Sequence, residues 1–150
     1  MRSEPVSAER PLSATPPKWR GVTARVLMWC AAASAVVAAA TGLPGLAAVG
    51  PDNLMAETWR WYGFLVFAAL FALLAHRPLS YRWVWEIVIA NKLLLTVTAT
   101  GFASGVLGPE GEVTGAVDAA VADGVLVVVA VVAYVLCRGW RAGPPASAPG

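Results

Sequence analysis

The chain has 150 residues, 58% of them hydrophobic and 13% charged, with a formal net charge of +2. Water-soluble domains carry about a quarter charged residues, so this composition excludes an ordinary soluble fold, and it offers no basic footprint for nucleic acid. Two cysteines are too few for a disulfide framework.

Residues 1–22 contain Pro5, Pro11, Pro16 and Pro17 among Ser and Arg. They read as a disordered cytoplasmic tail, with Lys18, Trp19 and Arg20 as an interfacial anchor at its end. The first apolar run is Ala24–Gly42, with Ala31, Ala35 and Ala39 as a small-residue packing stripe. The basic leader, this run and the small residues near Ala38–Ala40 or Ala47–Ala48 share features with a cleavable signal peptide. The leader exceeds twenty residues and the apolar run outlasts the usual length, so the span is expected to be retained.

Leu43–Glu57 is the longest predicted external loop, with Asp52 or Asn53 capping a helix that starts before the membrane. The second span, Trp59–Ala75, opens with Trp59, Trp61 and Tyr62, an aromatic belt at headgroup depth. It carries an Ala68, Ala72 and Ala75 stripe. Phe64, Phe67 and Phe71 share a face that reads as lipid-facing or core-filling rather than as a quinone groove. The turn His76-Arg77-Pro78-Leu79-Ser80 makes spans two and three a hairpin, because Pro78 prevents one continuous helix. His76 is the only histidine and has nothing nearby with which to build a metal site.

The third span, Trp83–Ala99, is entered through Tyr81, Trp83 and Trp85, a second belt. Gly101 and Gly105 form one GxxxG beyond it, in a stretch equally compatible with loop. Ser104–Thr114 is an acidic, Gly-rich connector. The fourth span, Gly115–Cys137, leads to a second Pro-rich tail over residues 140–150. The fold class expected for residues 23–139 is therefore all-α membrane, a four-transmembrane-helix antiparallel bundle. Runs of 17 to 23 residues cover a hydrocarbon core of about 30 Å at about 1.5 Å per residue. Open strands would leave unpaired amides in lipid.

Four crossings put nine of the eleven basic residues on one side: Arg2, Arg10, Lys18, Arg20, Arg25, Arg77, Arg82, Arg138 and Arg141. Arg60 lies opposite with Asp52, Glu57, Glu110 and Glu112. The positive-inside rule then makes both termini cytoplasmic in a multi-pass protein of the inner (plasma) membrane. The basic residues at that face suit anionic headgroups as generic anchoring to the lipid bilayer.

Ionisable residues inside spans are costly, about 2.5–3.5 kcal/mol each at a helix centre. Span three carries Glu86, Asn91 and Lys92, and span four carries Asp118 and Asp123. Lys92 and Asp123 each lie about eight residues, or about 12 Å, below the same boundary, which predicts an ion pair. At 100° per residue Asp123 falls in the stripe of Ala116, Ala119, Ala120 and Val127 beside Gly124. Lys92 shares a face with Trp85, Ile89 and Thr96, whereas Asn91 and Thr98 occupy nearly the opposite face. A helix polar on two sides is expected to be the most enclosed of the four. Glu86 is within reach of Arg82 or Arg25, and Asp118 of Arg60.

Three readings of the buried polar cluster Glu86, Asn91, Lys92 and Asp123 stand side by side: a structural pair fixing helix register, a ligand or proton site, or snorkelling without pairing. Transporters normally have more helices or internal repeats than this chain shows. Cys30 and Cys137 lie on the reducing side without a CxxC partner and read as buried small residues. No GxSxG, HExxH, P-loop or dinucleotide fingerprint is present.

The external segment leading into Glu57-Thr58-Trp59-Arg60-Trp61-Tyr62-Gly63, the short His76–Arg82 turn and Asp123-Gly124 together resemble the DoxX-like small four-helix bacterial membrane proteins. Some members of that family are associated with quinone-linked sulfur oxidation or membrane redox complexes. The resemblance implies an accessory or redox-complex subunit and transfers no catalytic residue. The excess of Arg over Lys and the abundance of Ala, Gly and Val fit a GC-rich bacterial genome. The functional expectation is a non-catalytic accessory or assembly subunit working with a membrane-protein partner or as a homo-oligomer. A small transporter or proton-handling protein is the alternative, and a quinone- or thiol-linked redox subunit the second alternative.

Overall fold

A computed structural model of the chain describes residues 17–108 and 113–141. Among these residues the only regular structure is helical: α1 (Lys18–Leu46), α2 (Pro51–His76), α3 (Arg82–Ala103) and α4 (Ala116–Cys137), with a 3-10 turn at Gly139–Arg141. All four long helices are long and apolar enough to cross a membrane. Most of the two tails (1–16 and 142–150) and the 109–112 part of the connector lie outside the described residues.

The helices run past the apolar stretches that define them. α1 begins at Lys18, inside the segment assigned to the tail, and continues through Pro44 to Leu46. Its 29 residues make it about 43 Å long, more than a hydrocarbon core needs. The predicted Leu43–Glu57 loop therefore shrinks to residues 47–50. Neither Asp52 nor Asn53 caps α2. Gly50 is the N-cap and Pro51 takes the first helical position, where its missing N–H would have been unpaired anyway. Asp52 instead sits in the first turn, its charge complementing the helix dipole.

α1 packs on α2 and α4, α3 packs chiefly on α4, and α2 touches α3 only lightly. This corrects the expectation for span three: α1, not α3, is the most enclosed helix. The reason is the alanine stripe. Ala24, Ala31, Ala32, Ala35 and Ala39 are buried together with Met28, because small side chains let two neighbours approach α1 closely. α2 answers with Ala68, Phe71, Leu74 and Ala75, and α4 with Ala130 and Ala133. Outward faces carry Val117, Val121, Val125 and Val128 on α4, and Leu93, Leu94 and Val97 on α3. That apolar exterior is what lipid requires.

Trp85 belongs to this core rather than to the interfacial belt. Its ring is fully buried, whereas neighbouring Trp83 is 72% exposed. The Trp85 indole N–H donates to the Pro78 carbonyl at 2.8 Å, so the residue that interrupts the helix also receives a hydrogen bond from α3 across the turn. Tyr134 packs between the Trp85 and Trp140 rings. A second indole, Trp61, donates to the Ala39 carbonyl at 2.8 Å and ties α2 to α1 towards the 47–50 loop.

The GxxxG pair is a helix end. Gly105 has φ +74°, the left-handed conformation that terminates helices, and the Leu107 amide donates to the Gly101 carbonyl at 3.0 Å. Leu107 then covers Gly101 so closely that a Cβ there would meet it at 2.5 Å.

Ala130 has no accessible surface, so Ala130→Leu should lower stability by about 1–3 kcal/mol, the usual cost of forcing carbon into a filled core. Val128→Leu, on the exposed face, should leave stability unchanged. Titration from mild micelles into SDS, followed by helical circular dichroism, measures both.

Candidate functional site

The apolar core ends on α3 at Val88 and on α4 at Ala130. One turn beyond Val88 comes Lys92, the only buried charged or polar residue among those described. Its Nζ donates to Asp123 Oδ1 at 2.7 Å, with side-chain exposures of 7% and 17% respectively. The geometry is that of a charge-assisted hydrogen bond. It sits where the surroundings raise the cost of leaving either group alone.

A third helix completes the arrangement. The Lys92 ammonium lies 4.1 Å from the centroid of the Phe67 ring on α2, within cation–π range. Lys92 thus touches an anion on one neighbour and an aromatic face on the other. Local backbone features hold it in place. Thr96 donates its hydroxyl to the Lys92 carbonyl at 2.8 Å, and Thr96 Cγ2 lies 3.5 Å from where a Cβ of Gly124 would stand. That is an ordinary van der Waals distance, so the α3–α4 approach at this level has room for a methyl group at position 124. No buried side-chain nitrogen or oxygen among the described residues lacks a hydrogen-bond partner.

Lys92 and Asp123 are the two residues of the predicted cluster that come together. Glu86 belongs elsewhere: its Oε1 accepts from Arg82 Nε at 2.8 Å, one turn along the same helix, while Arg25 is exposed. Asn91 is exposed on the flank of α3 and faces away from the pair. Arg60 pairs with Glu57 three residues earlier rather than with Asp118. Asp118 is exposed in the first turn of α4, a favourable place for a carboxylate. In the Asp123 stripe Ala116 is buried and Ala120 half-buried, but Ala119 is exposed, because the packing face narrows near this end of α4. Cys30 is exposed and Cys137 half-buried, so neither is the fully enclosed small residue expected. Cys137 donates its thiol to the Tyr134 carbonyl at 3.6 Å.

Phe67 is the member the sequence reading did not select. The depth arithmetic that pairs Lys92 with Asp123 applies to it too, since Phe67 is eight residues beyond Trp59 at the start of the second span. Phe71, one turn on, is fully buried and packs against it, which settles core-filling over lipid-facing for that residue. Between α1 and α2 runs an apolar groove bounded by Trp29, Val36 and Val37 and floored by Ala32, Ala68 and Ala72. Among the described residues no group of His, Cys, Asp and Glu side chains is arranged to hold a metal ion.

Helices of this length and composition around an internal ion pair define a multi-pass helical membrane protein. Compared with known proteins, the chain matches no family model, no curated protein and no solved structure.

Lys92→Met and Asp123→Leu should each destabilise the protein by about 3 kcal/mol, since each strands one buried charge. The double substitution should recover most of that loss, giving a clear coupling energy in a double-mutant cycle. Phe67→Leu should cost about 1 kcal/mol in the native protein and much less when Lys92 is already Met. Reversible unfolding in micelles or bicelles reads the native protein and all five variants.

Proposed function

We propose that this chain is a non-catalytic accessory or assembly subunit of a bacterial inner-membrane complex. It forms an antiparallel bundle with both termini in the cytoplasm. The carrying observation is that the one buried ammonium among the described residues is neutralised inside the chain by Asp123 and covered by Phe67. The cluster spends its polar capacity holding α2, α3 and α4 to one another, which is the work of a scaffold. The orientation rests on the side preference of Lys and Arg, with nine of eleven on one side. The resemblance to DoxX-like proteins supports a setting beside a membrane redox complex, with a quinone as the small molecule at hand.

A second reading draws on the asymmetry of the pair. Asp123 keeps 17% of its side chain accessible against 7% for Lys92, and α2 lies only lightly on α3. A carboxylate paired inside a membrane and still reachable is suited to proton handling.

Native mass spectrometry of the protein released gently from its own membrane tests the first reading, which expects a second polypeptide at fixed stoichiometry. Purified protein in liposomes tests the second. Proton flux that is lost in Asp123→Asn, with helix content and unfolding midpoint retained, would replace the scaffold reading. Orientation is read separately: reporters fused to either terminus should be active only on the cytoplasmic side.

A further inference from the structure

We infer that α3 carries a self-association seam, and that its occupant is the α3 helix of a second copy of this chain. Ile87, Asn91, Leu94 and Thr98 follow one another at spacings of four, three and four residues, the heptad rhythm of a two-helix seam. All four are exposed on the flank of α3 that no helix of the same chain covers; Ile87 is 62% and Leu94 66% accessible. Asn91 stands near the middle of the helix, nine residues from Arg82 and twelve from Ala103.

An exposed amide at that depth faces hydrocarbon. Its side chain is too short to reach the headgroups as a lysine or arginine would. The side-chain hydrogen bonds of α3 and its C-cap come from Arg82, Trp85, Lys92, Thr96, Thr100 and Ser104, and none of them involves Asn91. The threonines separate in the same way. Thr96 and Thr100 each donate to the carbonyl four residues back, while Thr98, on the seam, has no such bond among the described residues. The side chains of Asn91 and Thr98, neither with a hydrogen-bond partner among the described residues, thus lie on one stripe, seven residues apart.

Complementarity selects the occupant. An amide presents a donor and an acceptor together, and a second amide at the same depth satisfies both at once. A copy related by a two-fold axis along the membrane normal supplies it, placing each Asn91 against its counterpart and each Thr98 beside the next. A polar residue at one seam position also fixes register. The seam leaves Lys92, Asp123 and Phe67 untouched, and the inference is independent of the accessory reading.

The test uses the full chain with Cys30→Ala and Cys137→Ala, reconstituted in phosphatidylethanolamine–phosphatidylglycerol liposomes. Single cysteines are introduced by Ile87→Cys, Leu94→Cys or Thr98→Cys, with Leu93→Cys and Val97→Cys on the adjoining lipid face as controls. Oxidation should cross-link the first three between copies and leave the controls monomeric. In the native chain, Asn91→Val should weaken association by about 3- to 30-fold, the range for one interhelical hydrogen bond in a membrane. Asn91→Gln should retain most of it, as read by energy transfer between labelled copies across lipid dilutions. A chain that stays monomeric at every dilution, cross-linking on the control face, or association indifferent to Asn91→Val would each overturn the inference. So would a different protein captured on this stripe in the native membrane in place of a second copy.

Discussion

Bringing the Lys92 ammonium alone to the interior of a bilayer costs several kcal/mol, and the same holds for the Asp123 carboxylate. Held 2.7 Å apart, the two share that cost, but only if α3 and α4 meet at one level and in one rotational register. Everything near the pair serves that condition. Thr96 seals the backbone beside Lys92, and Phe67 brings α2 against the remaining face of the ammonium. The alanine-lined contact of α1 with α2 and α4 then closes the bundle without polar groups at all. In lipid, where apolar side chains gain little by leaving the solvent, close backbone approach and a few buried polar contacts carry the specificity.

The end of the bundle nearest the α2–α3 turn is organised by a different device. Trp85 is fully buried in the same apolar cluster as Leu74, Ala75, Ala130 and Ala133, and its indole N–H holds the Pro78 carbonyl. Tyr134 packs at a tilt against it and edge-on against Trp140 beyond. The ring of Tyr134 leaves no room for a side chain at position 139. One end is therefore locked by aromatic packing around a turn and the middle by charge, so the bundle has two separate determinants of helix register.

Length, composition and charge sidedness made the four helices legible in the sequence, because a membrane crossing demands about twenty apolar residues whatever the tertiary context. The Lys92–Asp123 contact was legible for a related reason: depth below a boundary is countable, and isolated charges at equal depth have few other partners. Enclosure was not countable. The two-sided polarity of α3 pointed to a central helix, yet the helix is peripheral and its second polar flank faces outward. Trp85 was grouped with Trp83 because both sit at a span boundary. A three-dimensional hydrogen bond to Pro78 separates them, and no period in the chain encodes it. Helix ends were misplaced wherever backbone chemistry decided them, as at Pro44 and Pro51.

The pair also imposes a timetable. Its two members are 31 residues apart in the chain, and polypeptide emerges at about 5–20 residues per second. For roughly 2–6 s after Lys92 has been made, its anion does not yet exist. α3 is the least apolar of the four helices and α4 the most apolar, so the helix that arrives first is the one less able to settle in lipid alone. Until α4 brings the carboxylate, α3 carries an uncompensated ammonium, and the pair closes only once both helices are in place.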